Sequence, residues 1–153
     1  LEFKKGSKEK GLQFLEKKCR EENGETCMLR AILAKDSGDS VKAKEFYERG
    51  CNFSDEKSCY YLASEFLIGE KNYSLAINKV NFGCMNHHAP SCALIGNIYL
   101  ELGNFEESEK YYIPACESRF SKACIGVISC ELRKQKMNIK KIKKYNGLAL
   151  HFC

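Results

Sequence analysis

The sequence contains no tryptophan, only two prolines and three histidines, and no long apolar run. No stretch approaches the roughly 18 apolar residues that a membrane-spanning helix requires. Residues 1–10 are charged rather than apolar, so no signal peptide is recognisable, and export would require that one had been removed. With 44% hydrophobic and 29% charged residues in 153 positions, the composition indicates one globular domain with a real core rather than a disordered chain.

Cysteine is the residue type that is abundant. Ten cysteines is an unusually high and even number, which favours an oxidising compartment unless the thiols bind metal. Eight of them form four pairs whose members stand eight positions apart: Cys19 and Cys27, Cys51 and Cys59, Cys84 and Cys92, and Cys116 and Cys124. Successive pairs begin 32, 33 and 32 positions apart. A period of this length predicts a solenoid of short repeats.

Other residues follow the same period with spacings of three and four, which are helical. Small residues recur at Ala43, Ala76 and Ser108, and large ones four positions later at Tyr47, Val80 and Tyr112. Small residues on one face allow two helices to approach closely while large side chains fill the grooves between them. The predicted helices span residues 8–22, 25–36, 40–53, 56–69, 73–86, 90–103, 105–118, 121–136 and, less regularly, 139–152.

Helix-terminating signals fall between the predicted helices. Glycines that can adopt the left-handed conformation at a helix end recur at Gly38, Gly69 and Gly103. The predicted N-cap residues that follow are Asp39, Asn72 and Asn104. Pro90 suits the first turn of a helix, whereas Pro114 lies late in one and predicts a kink or an early end.

The predicted fold is all-α: a right-handed α/α solenoid of paired antiparallel helices with one disulfide in the turn of each repeat. We expect a single domain, 1–153, made of an N-terminal helix, 7–22, and the repeats 25–53, 56–86, 89–118 and 121–153. The last of these ends in a basic capping helix, which repeat arrays need to cover their final apolar face.

The spacing also indicates how the cysteines pair. Eight positions along one continuous helix span about 12 Å, whereas a disulfide needs its Cα atoms within about 7 Å. The intervening stretches are polar and turn-rich, so the chain can reverse between the two cysteines of each pair. A metal site is the weaker alternative, because no CxxC is present and only one pair encloses histidines, His87 and His88. We interpret those as solvated loop residues and expect no metal and no cofactor.

The run Leu94–Tyr99 with Gly103 resembles the first helix of tetratricopeptide-like and Sel-like repeats, and Ser108–Tyr112 with Ala115 and Cys116 resembles their second helix. With its doubled cysteines, the chain is similar over about residues 7–130 to the Helicobacter cysteine-rich protein family. Its turns between helices are shorter than those of that family. The resemblance implies a secreted or periplasmic protein that interacts with host cells, or alternatively a weak β-lactam-binding protein or β-lactamase.

The enzyme hypothesis has little support in the residues themselves. The SxxK pattern of serine β-lactamases occurs at residues 7–10 and 54–57, but neither SDN nor KTG accompanies it. Both matches fall at predicted helix starts, where Ser7 and Ser54 would be ordinary N-caps. We therefore predict no catalytic residue and regard the chain as a binding protein rather than an enzyme.

A solenoid of paired helices offers its concave side to an extended peptide or protein partner. If the tetratricopeptide template transfers, this surface is lined by Met28, Ile32, Lys35, Lys57, Tyr60, Ser64, Leu67, Ala93, Asn97, Leu100, Lys122, Ile125 and Ser129. The positive charge lies elsewhere, because residues 132–153 contain seven basic residues and no acidic one. We interpret this segment as a cap rather than as an amphipathic basic helix, and expect a monomer that binds no nucleic acid.

Two cysteines stand outside the repeat pattern. Cys130 lies inside a predicted helix, and Cys153 is the last residue of the sequence. An even total in an exported protein favours pairing of the remaining two. We therefore expect a Cys130–Cys153 bridge, with free or intermolecular thiols as the alternative.

Overall fold

The structure is a computed structural model that describes residues 2–21 and 23–152, with side chains from residue 6 onward. Within these residues every regular element is helical, which confirms the all-α prediction. The helices are α1 (Glu2–Arg20), α2 (Gly24–Asp36), α3 (Ser40–Asn52), α4 (Glu56–Leu62, continued by a π-helical turn, Ala63–Leu67), α5 (Tyr73–Met85), α6 (Ala89–Glu101), α7 (Phe105–Glu117), α8 (Ser121–Arg133) and α9 (Ile139–His151). None of the described helices is long and apolar enough to cross a membrane.

The chain divides into two compact units, Leu1–Phe66 and Leu67–Cys153. In the first unit, α1 to α4 pack in sequence, and α2 also contacts α4. In the second unit, α5 to α9 pack in sequence, and α6 also contacts α8. Each unit is thus a solenoid-like stack in which consecutive helices are neighbours. That the two form one repeat domain stays a prediction.

The four predicted disulfides are confirmed. The Cα atoms of Cys19–Cys27, Cys51–Cys59, Cys84–Cys92 and Cys116–Cys124 lie 4.5 to 4.7 Å apart. Each bridge closes the tight turn between two antiparallel helices. The disulfide-bonded cysteines indicate an oxidising, non-cytoplasmic environment.

The predicted small and large positions form the core. Ala43, Ala76 and Ser108 have no exposed surface, and Tyr47, Val80 and Tyr112 are 1% exposed. In the second unit the ring of Tyr112 lies between α6 and α8, both of which carry a glycine there. A Cβ atom on Gly96 would come within 2.8 Å of this ring, and one on Gly126 would overlap it more severely. Only glycine at these two positions lets both helices close around the tyrosine.

The turn signals are mostly as predicted. The side chains of Asp39, Asn72 and Asn104 each accept a hydrogen bond from the backbone three residues on. Gly38 and Gly103 have positive φ and directly precede an N-cap, as expected. The prediction for Gly69 is wrong, because the left-handed residue is Lys71, with φ 56°. A π-helical turn extends α4 to Leu67, so the chain reverses its direction after Gly69, at the residue directly before Asn72.

Pro90 lies in the first turn of α6, as predicted. The early end predicted at Pro114 is wrong, because α7 continues to Glu117. Ala115 and Cys116, which follow the proline, are buried, and Cys116 is bridged to the next helix. Packing on one side and a covalent link on the other therefore offset the backbone hydrogen bond that proline removes.

The last helix is held by buried charges. Lys134 Nζ lies 2.9 Å from Glu109 Oε1 and 2.8 Å from Glu131 Oε1. Lys141 Nζ lies 2.7 Å from Glu109 Oε2 and 3.2 Å from Glu131 Oε1. Glu131 is 2% exposed and also accepts a hydrogen bond from the backbone of Asn138, at the start of α9. These four charges join α7, α8 and α9.

Cys130 is a free thiol, fully buried in α8, and its Sγ donates a hydrogen bond to Ser108 Oγ at 3.2 Å. This differs from the expected bridge to Cys153, a residue that lies outside the described part of the chain. The position of Cys130 on α8 explains why its thiol is bonded to Ser108. Its side chain faces α7, where Ser108 is the small residue of the repeat.

Candidate functional site

In the first unit, the candidate binding residues lie on α2 and α4, which are in contact. On α2, Met28 is buried, Ile32 is half-buried and Lys35 is exposed. Their spacing of four and then three places them on one face of the helix. Exposure thus increases along α2 from Met28 to Lys35.

On α4, Lys57 is exposed, while Tyr60 and Ser64 are half-buried. Lys35 Nζ forms a salt bridge of 2.5 Å with Glu65 Oε1, in the π-helical turn that follows α4. This pair joins the two helices beside the candidate residues. Glu65 was not among the predicted site residues, and the sequence alone gave no sign of it because the partners lie 30 positions apart.

Tyr60 is held by other aromatic rings. Its ring meets that of Tyr61 edge-on at 5.5 Å, and Tyr61 stacks on the buried Tyr47 at the same centroid distance. Burial, together with the neighbouring Tyr61 and Glu65, raises the pKa of Tyr60. The Tyr60 phenol therefore stays protonated at neutral pH. We call Ile32, Lys35, Lys57, Tyr60 and Ser64 the α2–α4 face.

In the second unit, Asn97 is exposed on α6 and is positioned from within the core. The hydroxyl of Tyr112, on α7, donates a hydrogen bond to Asn97 Oδ1. The ring of Tyr112 is fixed between Gly96 and Gly126, so the hydroxyl has a defined place. With this oxygen occupied, the NH2 group of the exposed Asn97 side chain is left to donate elsewhere. Such a group can donate to a carbonyl oxygen of an extended peptide.

On α8, which contacts α6, Ile125 is 54% exposed and Ser129 is half-buried. The hydroxyl of Ser129 donates a hydrogen bond to the backbone carbonyl of Ile125 at 3.0 Å, so its hydrogen-bond donor has a partner within the helix. Lys122 is exposed and Leu100, on α6, is half-buried. An exposed isoleucine near a positioned amide combines apolar contact with polar recognition. We call Asn97, Leu100, Lys122, Ile125 and Ser129 the α6–α8 face.

Some residues assigned to the surface by the template are core residues instead. Leu67 is 3% exposed, Ala93 is 6% exposed, and Met28 is 9% exposed. Each follows the helical spacing of the surface residues, but its side chain is covered by neighbouring helices. Spacing alone did not distinguish the exposed positions from these buried ones.

Two of the clefts are lined by residues other than those of the two faces. One, of about 310 Å³, is lined in the first unit by residues of α1, α2 and the start of α3, including Lys8, Arg30 and Lys42. Another, of about 250 Å³, lies in the second unit beside the Cys84–Cys92 bridge and Tyr111. The predicted binding residues line neither cleft. Exposed Lys35 and Lys57 on one face, and exposed Asn97 and Ile125 on the other, suit contact with a chain rather than with an enclosed small molecule.

Neither serine of the two SxxK matches is the N-cap that the sequence predicted. Ser7 lies inside α1, and Ser54 lies in a turn with φ 61°, directly before the true N-cap, Asp55. His87 is exposed in a turn, and the ring of His88 bonds Ser91 at 2.7 Å. Across residues 2–21 and 23–152, no three His, Cys, Asp or Glu side chains cluster as metal ligands would.

A tetratricopeptide repeat model matches residues 89–121, which cover the helix pair α6 and α7. No curated protein matches the sequence. Among solved structures, the chain is similar to one described as the MamA RS-1 ArsTM double mutant, with 18% identity and a TM-score of 0.66. The similarity covers 98% of this chain and 87% of that one. At this identity it shows the fold, so the chain carries tetratricopeptide-like helical repeats.

Proposed function

We propose that this repeat protein binds extended peptide or protein segments, with the α2–α4 face and the α6–α8 face each serving as a binding surface, in the periplasm or outside the cell. Tetratricopeptide-like repeats typically mediate protein–protein interaction, and the four disulfides fit an oxidising compartment. Their spacing supports kinship with the Helicobacter cysteine-rich proteins and, with it, a role at the host cell.

The observation that carries the proposal is the positioning of Asn97 by Tyr112. A buried tyrosine hydroxyl commonly finds its partner within the core. Here it instead orients an exposed amide, on a helix next to the one that carries the exposed Ile125. Peptide binding by an open surface depends on a few anchors of this kind, because an oriented side chain loses little entropy when the partner arrives.

The test begins with a random linear peptide library displayed on phage and selected against the oxidised protein. Affinities of the selected peptides are then measured by fluorescence polarisation. We expect N97A and I125S each to weaken binding by about fivefold or more, the equivalent of about one hydrogen bond or one lost apolar contact.

The matched control is F82S, which removes an apolar side chain that is 53% exposed on α5, a helix that contributes no residue to either face. It should leave affinity unchanged. Peptides that bind N97A and I125S as tightly as the unaltered protein would contradict the proposal for the α6–α8 face. Selection that yields no saturable binder would contradict it for the whole chain.

A further inference from the structure

The segment Leu132–Lys144, at the junction of α8 and α9, uses its lysines in two ways. Lys134 and Lys141 are only 24% exposed and are paired with Glu109 and Glu131. These two cations hold α9 in place. The other basic residues of the segment are exposed.

Five further cations of this segment are exposed: Arg133, Lys136, Lys140, Lys143 and Lys144. No acidic residue occurs from residue 132 to the end of the sequence. The whole chain carries a net charge of +5, and residues 132–153 together contribute seven positive charges, so residues 1–131 sum to −2. The positive charge of the protein is therefore concentrated at this junction.

The helical spacing of α9 separates these two groups. Lys141, Tyr145 and Ala149 recur every four residues, and all three face the neighbouring helices: Lys141 is paired, and the other two are buried. Lys140 and Lys143 lie on the side of the helix opposite this row and are exposed. Since the inner row is fixed by packing and ion pairs, the outer row is presented in a fixed orientation.

Apolar side chains lie among the exposed cations. Leu132 is 59% exposed, Met137 is 51% exposed and Ile139 is 54% exposed. Scattered single apolar residues on a surface need no explanation. Three within eight positions, interleaved with Arg133, Lys136 and Lys140, form a mixed surface. We call the five exposed cations and these three apolar residues the basic strip.

We propose that the basic strip docks the protein on an anionic phospholipid bilayer. Exposed lysines near an acidic lipid surface gain electrostatic attraction, and apolar side chains beside them enter the boundary between headgroups and acyl chains. A nucleic acid would satisfy the charges but offers little to exposed Leu132, Met137 and Ile139. A bilayer with acidic headgroups matches both the exposed cations and the apolar residues of the basic strip.

The first test measures cosedimentation of the oxidised protein with vesicles. We expect binding to phosphatidylcholine vesicles that contain about 30 mol% phosphatidylglycerol, and none to pure phosphatidylcholine. Binding should weaken at about 0.5 M NaCl relative to about 0.1 M, since salt screens surface charge. The variant K136E/K140E/K143E should bind at least about tenfold more weakly.

The control K8E/K10E/K17E makes the same change in net charge at exposed positions of α1. It should bind like the unaltered protein if the strip, rather than overall charge, is responsible. Equal loss in both variants would overturn the proposal, as would equal binding to neutral vesicles or none to anionic ones. Thermal unfolding of each variant verifies that the fold is retained.

The second test uses the absence of tryptophan, which makes a single introduced tryptophan a unique reporter. In M137W the emission should shift to shorter wavelength on anionic vesicles, because the indole leaves water. In M85W, at a position 71% exposed on α5, the emission should not change. A shift in neither variant, or the same shift in both, would overturn insertion by the strip.

Discussion

The hydroxyl of the buried Tyr112 donates a hydrogen bond to the amide oxygen of the exposed Asn97. The two residues are 15 positions apart, on α7 and α6, and the bond passes beside Gly96. It links the core of the second unit directly to its candidate binding face. The geometry of that face therefore depends on how the core is packed.

Replacing Tyr112 with phenylalanine should loosen Asn97 without opening a cavity. We expect the free energy of unfolding to fall by about 1 kcal/mol, the typical net value of one hydrogen bond. Affinity for selected peptides should fall about fivefold. The control Y111F changes the neighbouring tyrosine, whose ring stacks on Tyr99, and should alter neither quantity. Urea unfolding and fluorescence polarisation measure both, and identical affinities for Y112F and Y111F would show that Asn97 needs no positioning.

Gly126 and Gly147 both lie inside helices, but they should respond oppositely to alanine. A Cβ on Gly126 would overlap the ring of Tyr112, so G126A should lower the free energy of unfolding by about 1–3 kcal/mol. Nothing lies within 4 Å of a Cβ on Gly147, so G147A should raise stability by about 0.5–1 kcal/mol. Urea unfolding of both variants decides this, and a G126A protein as stable as the original would refute the close packing.

Glu131 should make the protein sensitive to acid. Burial alone would raise its pKa, but hydrogen bonds from Lys134 and from the backbone of Asn138 outweigh that effect and lower it from 4.5 to about 2. Since the folded pKa lies below the unfolded one, ionised Glu131 stabilises the fold above about pH 4.5, and this contribution is lost as the pH falls towards 2.

We therefore expect E131Q to lower the free energy of unfolding at pH 7 by about 1–3 kcal/mol and to flatten the decline between pH 4.5 and 2. The control E107Q removes an exposed partner of Lys110, and its effect should stay within about 0.5 kcal/mol. The measurement is urea unfolding across this pH range. An unchanged pH profile in E131Q would contradict the assignment.

Each disulfide should contribute similarly, because all four close loops of the same length. In the chain-entropy model a loop this short is worth about 2–3 kcal/mol. Replacing both cysteines of any one pair by serine should lower the free energy of unfolding by that amount. Peptide mapping without reductant provides the covalent check. Free thiols at these positions, or links between repeats, would contradict the structure.

Cys130 should be unreactive in the folded protein. Burial raises the pKa of its thiol, and its side chain has no exposed surface, so little thiolate is available to an alkylating reagent. Iodoacetamide should label it only after unfolding, whereas L132C in a C130S background, at a position 59% exposed, should be labelled without unfolding. Intact mass after labelling of the unfolded, unreduced protein also tests the bridge to Cys153. No label at Cys130 would establish a disulfide there.

Local sequence signals determined much of the fold. Cysteines eight apart with turn-forming residues between them can bridge only if the chain reverses, and Cys51 and Cys59 are among those that do. Asp39, Asn72 and Asn104 cap helices as predicted, because an N-cap bond spans only three residues. Such signals are reliable because the two residues that interact are at most eight positions apart in the sequence.

Tertiary packing decided what these signals left open or indicated wrongly. Helix α7 continues past Pro114 because the next residues are buried and bridged, and Lys71 takes the left-handed position expected of Gly69 because a π-helical turn displaces the reversal. Glu131, which breaks the repeat pattern in the sequence, is a buried ion-pair residue because Lys134 and Lys141 reach it.

The candidate sites divide in the same way. Helical periodicity predicted which residues of α2, α4, α6 and α8 share a face of their helix and so became the candidate binding residues. It could not predict that Tyr112 orients Asn97, that Glu65 pairs with Lys35, or which of seven basic residues remain exposed. Those outcomes depend on distances between side chains on different helices, which are set only when the helices pack.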